Sequence, residues 1–366
     1  MFEQFFSPDY NTARRRFRTL VKEHGGRIDS HEIGLDGADG KPLTIDIGLL
    51  GEPKAKSRLV ISSGTHGVEG FFGSAVQLAY LEKQIEDDLK DPSLGVVLIH
   101  AVNPYGFANL RRVNEENIDL NRNFLTDQRP FEGADPGYAK FDPLLNPPSP
   151  PGGLEFYLLR AALNILRYGM PKLKSSLVSG QYEFEKGLFF GGKGPSKSSE
   201  IIKGNLHKWV EGAERVMHVD FHTGLGPWAT YVLGACEPAD EDEISWLGKF
   251  FDQDYVQGME PNGVLYEIHG EFGAWCKQAM DSLEYHAVLA EFGTYPPLKV
   301  LGALRAENRT HHWADPDDRC SKDAKSQLKE AFAPASPEWQ SSCVEKGLLI
   351  ARQAVQSITG SNRQSL

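Results

Sequence analysis

Residues 58–70 read RLVISSGTHGVEG and join a short apolar strand pattern to two potential metal ligands. The β-branched run 58–63 predicts a strand that stops in a turn at Gly64. His66 and Glu69 follow three positions apart, so on a helical turn they project from one face. An imidazole nitrogen and a carboxylate oxygen are ligands that Zn²⁺ takes in proteins. A His-x-x-Glu pair is also expected about once by chance in a chain of this size. The pair is therefore a hypothesis that needs a third ligand.

The sequence on either side of this segment alternates between apolar strands and helices. A helix is predicted over 71–89 and a buried strand over 95–102, where the apolar run is nearly continuous. The last helix has Ser336 as its N-cap, Pro337 in its first position and Gly360 past its end. This alternation predicts an α/β sheet with helices on both faces. Further strands are predicted over 215–221, 230–235 and 286–292, and further helices over 154–168 and 198–213.

Residues 134–153, ADPGYAKFDPLLNPPSPPGG, carry six prolines and interrupt the alternation. Because strands and helices resume on both sides, we expect a long surface insertion and not a linker between domains. The chain 1–366 is therefore predicted to be one domain that carries this insertion.

The composition excludes several classes of protein. With 39 Lys+Arg against 50 Asp+Glu, the net charge is −11, and a nucleic-acid partner would require a basic surface. The four cysteines are widely spaced and predict neither a disulfide scaffold nor a cysteine-based zinc site. We read no secretory signal and no apolar run long enough to span a membrane. We therefore expect a cytoplasmic protein with neither a nucleic-acid nor a membrane partner.

Two other predicted strands end in residues suited to a metal site. His222 follows the strand 215–221 and precedes Gly224, and it is either a third ligand or a hydrogen-bonded strand-end histidine. His218, inside the apolar run, is better explained as a hydrogen-bonded core residue. Glu291 ends the apolar strand 286–292, where a carboxylate is costly unless it is paired or functional. It is either a plain edge residue or the general base of a metal site.

The loop after the strand 95–102 reads NPYGFANLRRVNEENIDLNRNF, residues 103–124. It is either a solvated loop with surface ion pairs or a pocket for carboxylates and oxyanions, because guanidinium groups bind carboxylates through two parallel hydrogen bonds. Two other functional motifs are incomplete or absent in this sequence. Gly194 stands where a phosphate-binding loop needs Ser or Thr, and no Gly-x-Ser-x-Gly elbow of a serine hydrolase is present.

These motifs occur together in the order used by the zinc carboxypeptidase superfamily. That superfamily includes carboxypeptidase A-like peptidases and succinylglutamate desuccinylase/aspartoacylase-like amidohydrolases, and the chain resembles most closely a bacterial branch described as a domain of unknown function. The resemblance implies a three-layer α/β/α fold with a mixed, mostly parallel central sheet. It is carried by His66-x-x-Glu69, the turn 103–106, the pair Arg111–Arg112, the run 119–124 (DLNRNF), His222 and Glu291.

Carried over to this chain, the resemblance implies one Zn²⁺ held by His66, Glu69 and His222. Three protein ligands leave a fourth position open, which is typical of catalytic zinc. Asp119 resembles the carboxylate that orients a ligand histidine from behind, and such partners tune metal affinity.

The remaining roles concern the substrate. Asn121 and Arg122 resemble the pair that binds a substrate carboxylate, and Arg111 is assigned to the same pocket. One of Arg111 and Arg112, by alignment Arg112, resembles the arginine that stabilises the oxyanion. Glu291 resembles the base that activates water. The insertion before His222, which includes residues 180–194 (GQYEFEKGLFFGGKG), has no counterpart in the superfamily.

The resemblance predicts a zinc-dependent hydrolase that cleaves an amide or peptide bond next to a free carboxylate. A carboxypeptidase with small peptide substrates and an N-acyl-amino-acid amidohydrolase would use the same residues, so both remain open. A catalytically inactive relative that binds a metal and a ligand is a third possibility. Retention of Glu291 and the arginines argues against it, because a binding protein needs no base beside its metal.

Overall fold

The computed structural model describes residues 2–126, 129–152, 157, 179–258 and 268–360. These residues form one eight-stranded sheet, whose strands are numbered here in chain order. The strands are β1 (Arg27–Asp36), β2 (Pro42–Gly51), β3 (Ser57–Ser63), β4 (Leu94–His100), β5 (Arg215–Thr223), β6 (Tyr231–Ala235), β7 (Val256–Gln257) and β8 (Glu284–Phe292).

The sheet is mixed, with the order β1-β2-β4-β3-β5-β8-β6-β7. Its four central strands, β4, β3, β5 and β8, are parallel, while β2 pairs with β4 and β6 pairs with β8 in antiparallel directions. The carboxyl ends of the central strands therefore meet at one edge of the sheet, which is where open α/β sheets bind ligands.

Helices cover both faces of this sheet. They are α1 (Tyr10–Glu23), α2 (Gly70–Lys83), α3 (Ile85–Asp88), α4 (Pro104–Asn109), α5 (Tyr138–Leu145), α6 (Lys197–Trp209), α7 (Glu241–Phe250), α8 (Phe272–Ala279), α9 (Pro297–Trp313), α10 (Arg319–Phe332) and α11 (Pro337–Thr359). Because side chains alternate along a strand, Leu59 and Ile61 of β3 pack with α2 and α11, whereas Val60 packs on the other face with α6 and α8. The predicted three-layer α/β/α fold with a mixed sheet is confirmed.

The predicted central strands and the last helix are confirmed within a few residues at their ends. Ser336 caps α11 by accepting a hydrogen bond from the backbone N–H of Trp339, and Gly360 follows with a φ of 67°. The helix predicted over 71–89 divides at Gln84 into α2 and α3. The helix predicted over 154–168 lies outside the described residues apart from residue 157.

Within residues 134–152, the proline-rich segment packs more closely against the core than we expect of a surface insertion. It contains α5, whose Tyr138 and Phe141 are buried in the core. Two arginines of α9 hold the segment, since Arg305 donates to the carbonyl of Leu144 and Arg309 donates to the carbonyl of Ser149 at 2.8 Å.

All four cysteines are free thiols. Among the described residues, no helix combines the length and the apolar character needed to cross a membrane.

Candidate metal centre

Three of the predicted site residues lie at the carboxyl ends of neighbouring parallel strands. His66 comes three residues after the end of β3, and His222 is the second-to-last residue of β5. Glu291 of β8 is the register partner of His222 in the adjacent strand. Because β5 lies between β3 and β8, these side chains meet at the same edge of the sheet.

The turn between His66 and Glu69 is fixed by close contact with the loop that follows β4. The backbone N–H of Gly67 donates to the carbonyl of Arg112 at 3.0 Å, and that of Val68 donates to the carbonyl of Arg111 at 2.9 Å. A Cβ atom on Gly67 would come 2.1 Å from the backbone of Gly106, so a glycine is required there. The His-x-x-Glu pattern therefore depends on its glycine as well as on its two ligands.

The donor atoms of His66, Glu69 and His222 form one compact cluster, and ligand atoms of the three residues lie within 4.8 Å of one another. The two imidazole Nδ1 atoms are 3.2 Å apart. Nδ1 of His66 lies 2.9 Å from Oε1 of Glu69, and Nδ1 of His222 lies 3.1 Å from Oε2. Tetrahedral ligands about 2.0–2.1 Å from zinc are separated by roughly 3.3 Å. The spacing of the donors therefore fits a zinc-sized ion.

Each histidine is held from behind by a buried carboxylate. Nε2 of His66 lies 3.0 Å from Oδ1 of Asp119, and Nε2 of His222 lies 2.6 Å from Oδ2 of Asp220. This arrangement directs both Nδ1 atoms at the cluster, and a carboxylate behind Nε2 is the usual partner of a metal-binding histidine. The contact predicted for Asp119 is present in the structure. Asp220 is a residue that the sequence reasoning missed, although its spacing two residues before His222 puts both on one face of β5.

Arg112 lies directly beside the cluster. Its Nη1 donates to Oε1 of Glu69 at 3.1 Å, and its Nη2 and Nε donate to Oδ2 of Asp119 at 3.1 and 3.3 Å. Its Nη2 is also 2.7 Å from Nε2 of His66. With 14% of its side chain exposed, Arg112 is the most accessible residue of this group.

The cluster gathers four buried carboxyl groups around Arg112 and the two imidazole rings. Glu69, Asp119, Asp220 and Glu291 are all buried within it. Burial raises the pKa of Glu69, but His66 and His222 outweigh that effect and hold its pKa well below the usual range. Burial likewise opposes the ionisation of Asp119, but Arg112 and His66 hold its pKa well below the usual range. Ionised carboxylates around two imidazole nitrogens are a donor set suited to a divalent cation.

Glu291 differs from the other carboxylates in its environment. Burial and the nearby charge of Glu69 raise the pKa of Glu291 to about 7. Its Oε1 accepts a hydrogen bond from the backbone N–H of Leu225 at 2.7 Å, which fixes the carboxyl group beside His222. A carboxyl group with a pKa near neutrality can exchange a proton under physiological conditions.

Asn121 and Arg122 form a short 3-10 turn that follows Asp119. The backbone N–H of Asn121 donates to Oδ1 of Asp119 at 3.1 Å, and Nη1 of Arg122 donates to the carbonyl of Asn121 at 2.9 Å. Oδ1 of Asn121 accepts from the backbone N–H of Phe272 at 2.9 Å, so α8 anchors this turn. The turn thus connects both proposed substrate-binding residues to the carboxylate behind His66.

Arg111 lies elsewhere. Its side chain is completely buried, with Nε donating to Oε1 of Glu307 at 2.7 Å and Nη2 donating to Oδ1 of Asn117 at 3.0 Å. The predicted assignment of Arg111 to the substrate pocket does not agree with this packing, and the structure gives it an ion pair with α9 instead. The two neighbouring arginines therefore separate, with Arg112 at the cluster and Arg111 in the interior.

The insertion before His222, in its part 180–194, contributes residues that the sequence analysis did not assign. The carbonyl of Phe190 accepts a hydrogen bond from the backbone N–H of Asp119 at 2.7 Å, and the Tyr182 hydroxyl donates to the carbonyl of Arg122 at 2.8 Å. The ring of Phe189 lies 5.7 Å from the guanidinium carbon of Arg112. Residues 182–190 therefore form part of the wall around the proposed site.

The fold and this donor set define an α/β protein with a candidate metal centre at the carboxyl edge of its sheet. The chain belongs to the family described as protein of unknown function (DUF2817), whose model matches residues 6–346. Among curated proteins, none matches this sequence.

Solved structures of metallocarboxypeptidases are similar to this chain at low sequence identity. Carboxypeptidase A from Helicoverpa armigera is 13% identical, with a TM-score of 0.47 over 89% of this chain and 74% of that one. Bovine thrombin-activatable fibrinolysis inhibitor in complex with tick carboxypeptidase inhibitor is 15% identical, with a TM-score of 0.46 over 90% and 97% of the two chains. A metallo-carboxypeptidase from Burkholderia cenocepacia is 12% identical, with a TM-score of 0.41 over 91% and 67%.

Proposed function

We propose that this protein is a zinc-dependent hydrolase that cleaves an amide or peptide bond next to a free carboxylate group. The observation that carries the proposal is the buried set of His66, Glu69 and His222, with the carboxyl group of Glu291 on the neighbouring strand. A buried metal site of three protein ligands suits catalysis better than structure, because a structural site normally has four. One zinc ion per chain is the cofactor we propose.

Zinc bound by these three residues would polarise the scissile carbonyl group and lower the pKa of a water molecule. Glu291 accepts a proton from the attacking water and returns it to the nitrogen of the leaving group. The position of Glu291, on the strand next to His222 and in register with it, supports this role. Its hydrogen bond from Leu225 holds the carboxyl group in place during the exchange.

Arg112 stabilises the negative charge that develops on the carbonyl oxygen in the transition state. Its contacts with Glu69 and Asp119 support this role, because they hold the guanidinium next to the ligand set. Asn121 and Arg122 bind the free carboxylate of the substrate. A guanidinium matches a carboxylate with two parallel hydrogen bonds, which fixes the orientation of the substrate as well as its charge.

Small peptides and N-acyl amino acids both fit this arrangement, and we favour a carboxypeptidase-like activity. Both classes carry a carboxylate next to the scissile amide, so the residues named here serve either one. A metal-binding protein without activity is the remaining alternative. The buried position of Glu291 argues against it, because burying an ionisable group beside a metal site is costly without a function.

The test starts from metal analysis of the purified full-length protein, followed by hydrolysis of a panel of C-terminal dipeptides and N-acyl amino acids. Glu291→Gln is expected to retain zinc and to lose activity by about 10²–10⁴-fold. Glu284→Gln is the matched control, since this residue lies at the other, exposed end of the same strand. Zinc binding with no turnover of either substrate class would favour the inactive binding protein, and turnover that Glu291→Gln leaves unchanged would remove Glu291 as the base.

A further inference from the structure

A chain of buried polar side chains leads from the candidate metal centre into the interior of the sheet. It consists of His222, Asp220, Ser62, His218 and Tyr285. The chain crosses β3, β5 and β8, and its members lie on one face of the sheet, because they occupy alternate positions of paired strands. Polar groups in such a core are retained only when each of them finds a partner.

Every link in this chain has hydrogen-bond geometry. Oδ2 of Asp220 is 2.6 Å from Nε2 of His222, and the Ser62 hydroxyl donates to Oδ1 of Asp220 at 2.5 Å. Nε2 of His218 lies 2.8 Å from the Ser62 oxygen, and the Tyr285 hydroxyl lies 3.1 Å from Nδ1 of His218. The chain therefore extends three residues beyond the carboxylate that contacts the ligand histidine.

The direction of each hydrogen bond follows from the carboxylate. An ionised Asp220 only accepts, so it receives the proton of Ser62, whose oxygen then accepts from Nε2–H of His218. Burial lowers the pKa of His218 to about 4, so its ring is neutral near pH 7 and carries one proton. Its Nδ1 consequently accepts from Tyr285. All donors in the chain point toward Asp220.

Thr65 adds a second donor to the same carboxylate. Its hydroxyl lies 3.1 and 3.0 Å from the two oxygens of Asp220. Thr65 immediately precedes His66. The turn that carries His66 therefore also supplies a donor to the carboxylate behind His222. Asp220 thus accepts from Ser62, Thr65 and His222 at once, which holds it in one orientation.

We propose that Ser62, His218 and Tyr285 are positioning residues that act through Asp220 to fix the orientation and tautomer of His222, so that its Nδ1 faces the metal. This inference rests on the proposed zinc site and extends it to residues that touch neither metal nor substrate. Loss of a donor to the supporting carboxylate loosens the ligand and lowers metal affinity.

The protein offers matched control positions on the opposite face of the sheet. Ser63 follows Ser62 in sequence, is equally buried, and donates to Oε1 of Gln77 at 3.1 Å. Tyr80 is a buried tyrosine whose hydroxyl donates to Oδ2 of Asp88 at 2.8 Å. Ser63→Ala and Tyr80→Phe remove the same atoms as Ser62→Ala and Tyr285→Phe, but outside the chain.

The experiment measures the Zn²⁺ dissociation constant of each full-length variant by competition with a chromophoric chelator, together with the visible spectrum of the Co²⁺-substituted protein. Ser62→Ala is expected to weaken Zn²⁺ binding about tenfold, at the lower end of the range for residues behind a ligand. It should also change the Co²⁺ spectrum, because the position of His222 changes. Both controls are expected to leave the affinity and the spectrum unchanged.

A double-variant cycle separates positioning from general packing. Tyr285→Phe should weaken Zn²⁺ binding in the wild-type background but have no further effect in the Ser62→Ala background, because the link to Asp220 is then already broken. Equal affinities for Ser62→Ala and Ser63→Ala, or additive effects in the cycle, would overturn the inference. A wild-type protein that binds no Zn²⁺ would instead overturn the proposed function.

Discussion

Glu291→Gln is expected to stabilise the metal-free protein even though it removes activity. The carboxyl group of Glu291 is buried near Glu69, and both effects raise its pKa from 4.5 to about 7. In the unfolded chain the carboxyl group has its ordinary pKa of 4.5. The stability contributed by the neutral form in the fold is therefore fully present below about pH 4.5 and is lost as the pH rises to about 7. Glutamine is neutral at every pH and keeps an oxygen to accept the hydrogen bond from Leu225.

The size of the effect follows from the difference between the two pKa values. A shift of this size corresponds to about 3 kcal/mol of unfolding free energy above pH 8 and about 1 kcal/mol near pH 5.5. Because the pKa applies to the protein without metal, chelator-treated protein is the correct sample. Urea unfolding at pH 5.5 and 8.5 measures the free energy of unfolding for the wild type and for Glu291→Gln.

Two controls accompany this measurement. Glu284→Gln changes the same chemical group at the exposed end of β8 and should show no pH-dependent gain in stability. Adding Zn²⁺ should reduce the advantage of Glu291→Gln, because a nearby cation favours the ionised carboxylate. A stability difference that is the same at both pH values, or a variant less stable than wild type at pH 8.5, would refute the assigned environment of Glu291.

Three further substitutions test the other assignments. His66→Ala and His222→Ala should each abolish stoichiometric Zn²⁺ binding in elemental analysis, and unchanged zinc content in both would exclude them as ligands. Arg122→Lys should lower kcat/KM more for substrates with a free carboxylate than for their amides, because lysine lacks the paired donors of arginine. Equal losses for both kinds of substrate would show that Arg122 does not recognise the carboxylate. Arg111→Ala should cost about 3–5 kcal/mol in urea unfolding by leaving Glu307 buried without its partner, and Zn²⁺ content should be unchanged in the folded protein; a variant as stable as wild type would contradict this structural role.

The parts of the site that could be predicted from the sequence are those carried by local patterns. His66, His222 and Glu291 each follow or end an apolar strand, and such strands place their last residues at one edge of a parallel sheet. The glycine-rich turn after β3 is also a local signal, although the close approach of Gly67 to Gly106 is seen only in the structure.

The parts that could not be predicted depend on pairing between distant segments. The support that Ser62 gives to Asp220 requires the register of β3 against β5, which brings Ser62 opposite Asp220 across 158 positions of sequence. Arg111 and Arg112 are identical as side chains, and only the packing of α9 decides that Glu307 pairs with the first of them. The prolines of the segment 134–153 hide the helix α5 from sequence reasoning, because Pro143 lies inside this helix.

We expect the insertion before His222 to influence substrate selectivity, because it contacts the proposed carboxylate-binding turn. The ligand cluster is built from turns at the ends of β3 and β5, whereas the turn that carries Asn121 and Arg122 is held by Tyr182 and Phe190 of the insertion. These two residues contact the backbone of the proposed carboxylate-binding turn and none of the three candidate ligands. Substitutions in the insertion should therefore change which substrate is accepted while zinc binding stays intact. Under the proposed function, the candidate ligand set carries out the hydrolysis, and we expect the insertion before His222 to decide which acyl or peptide group reaches it.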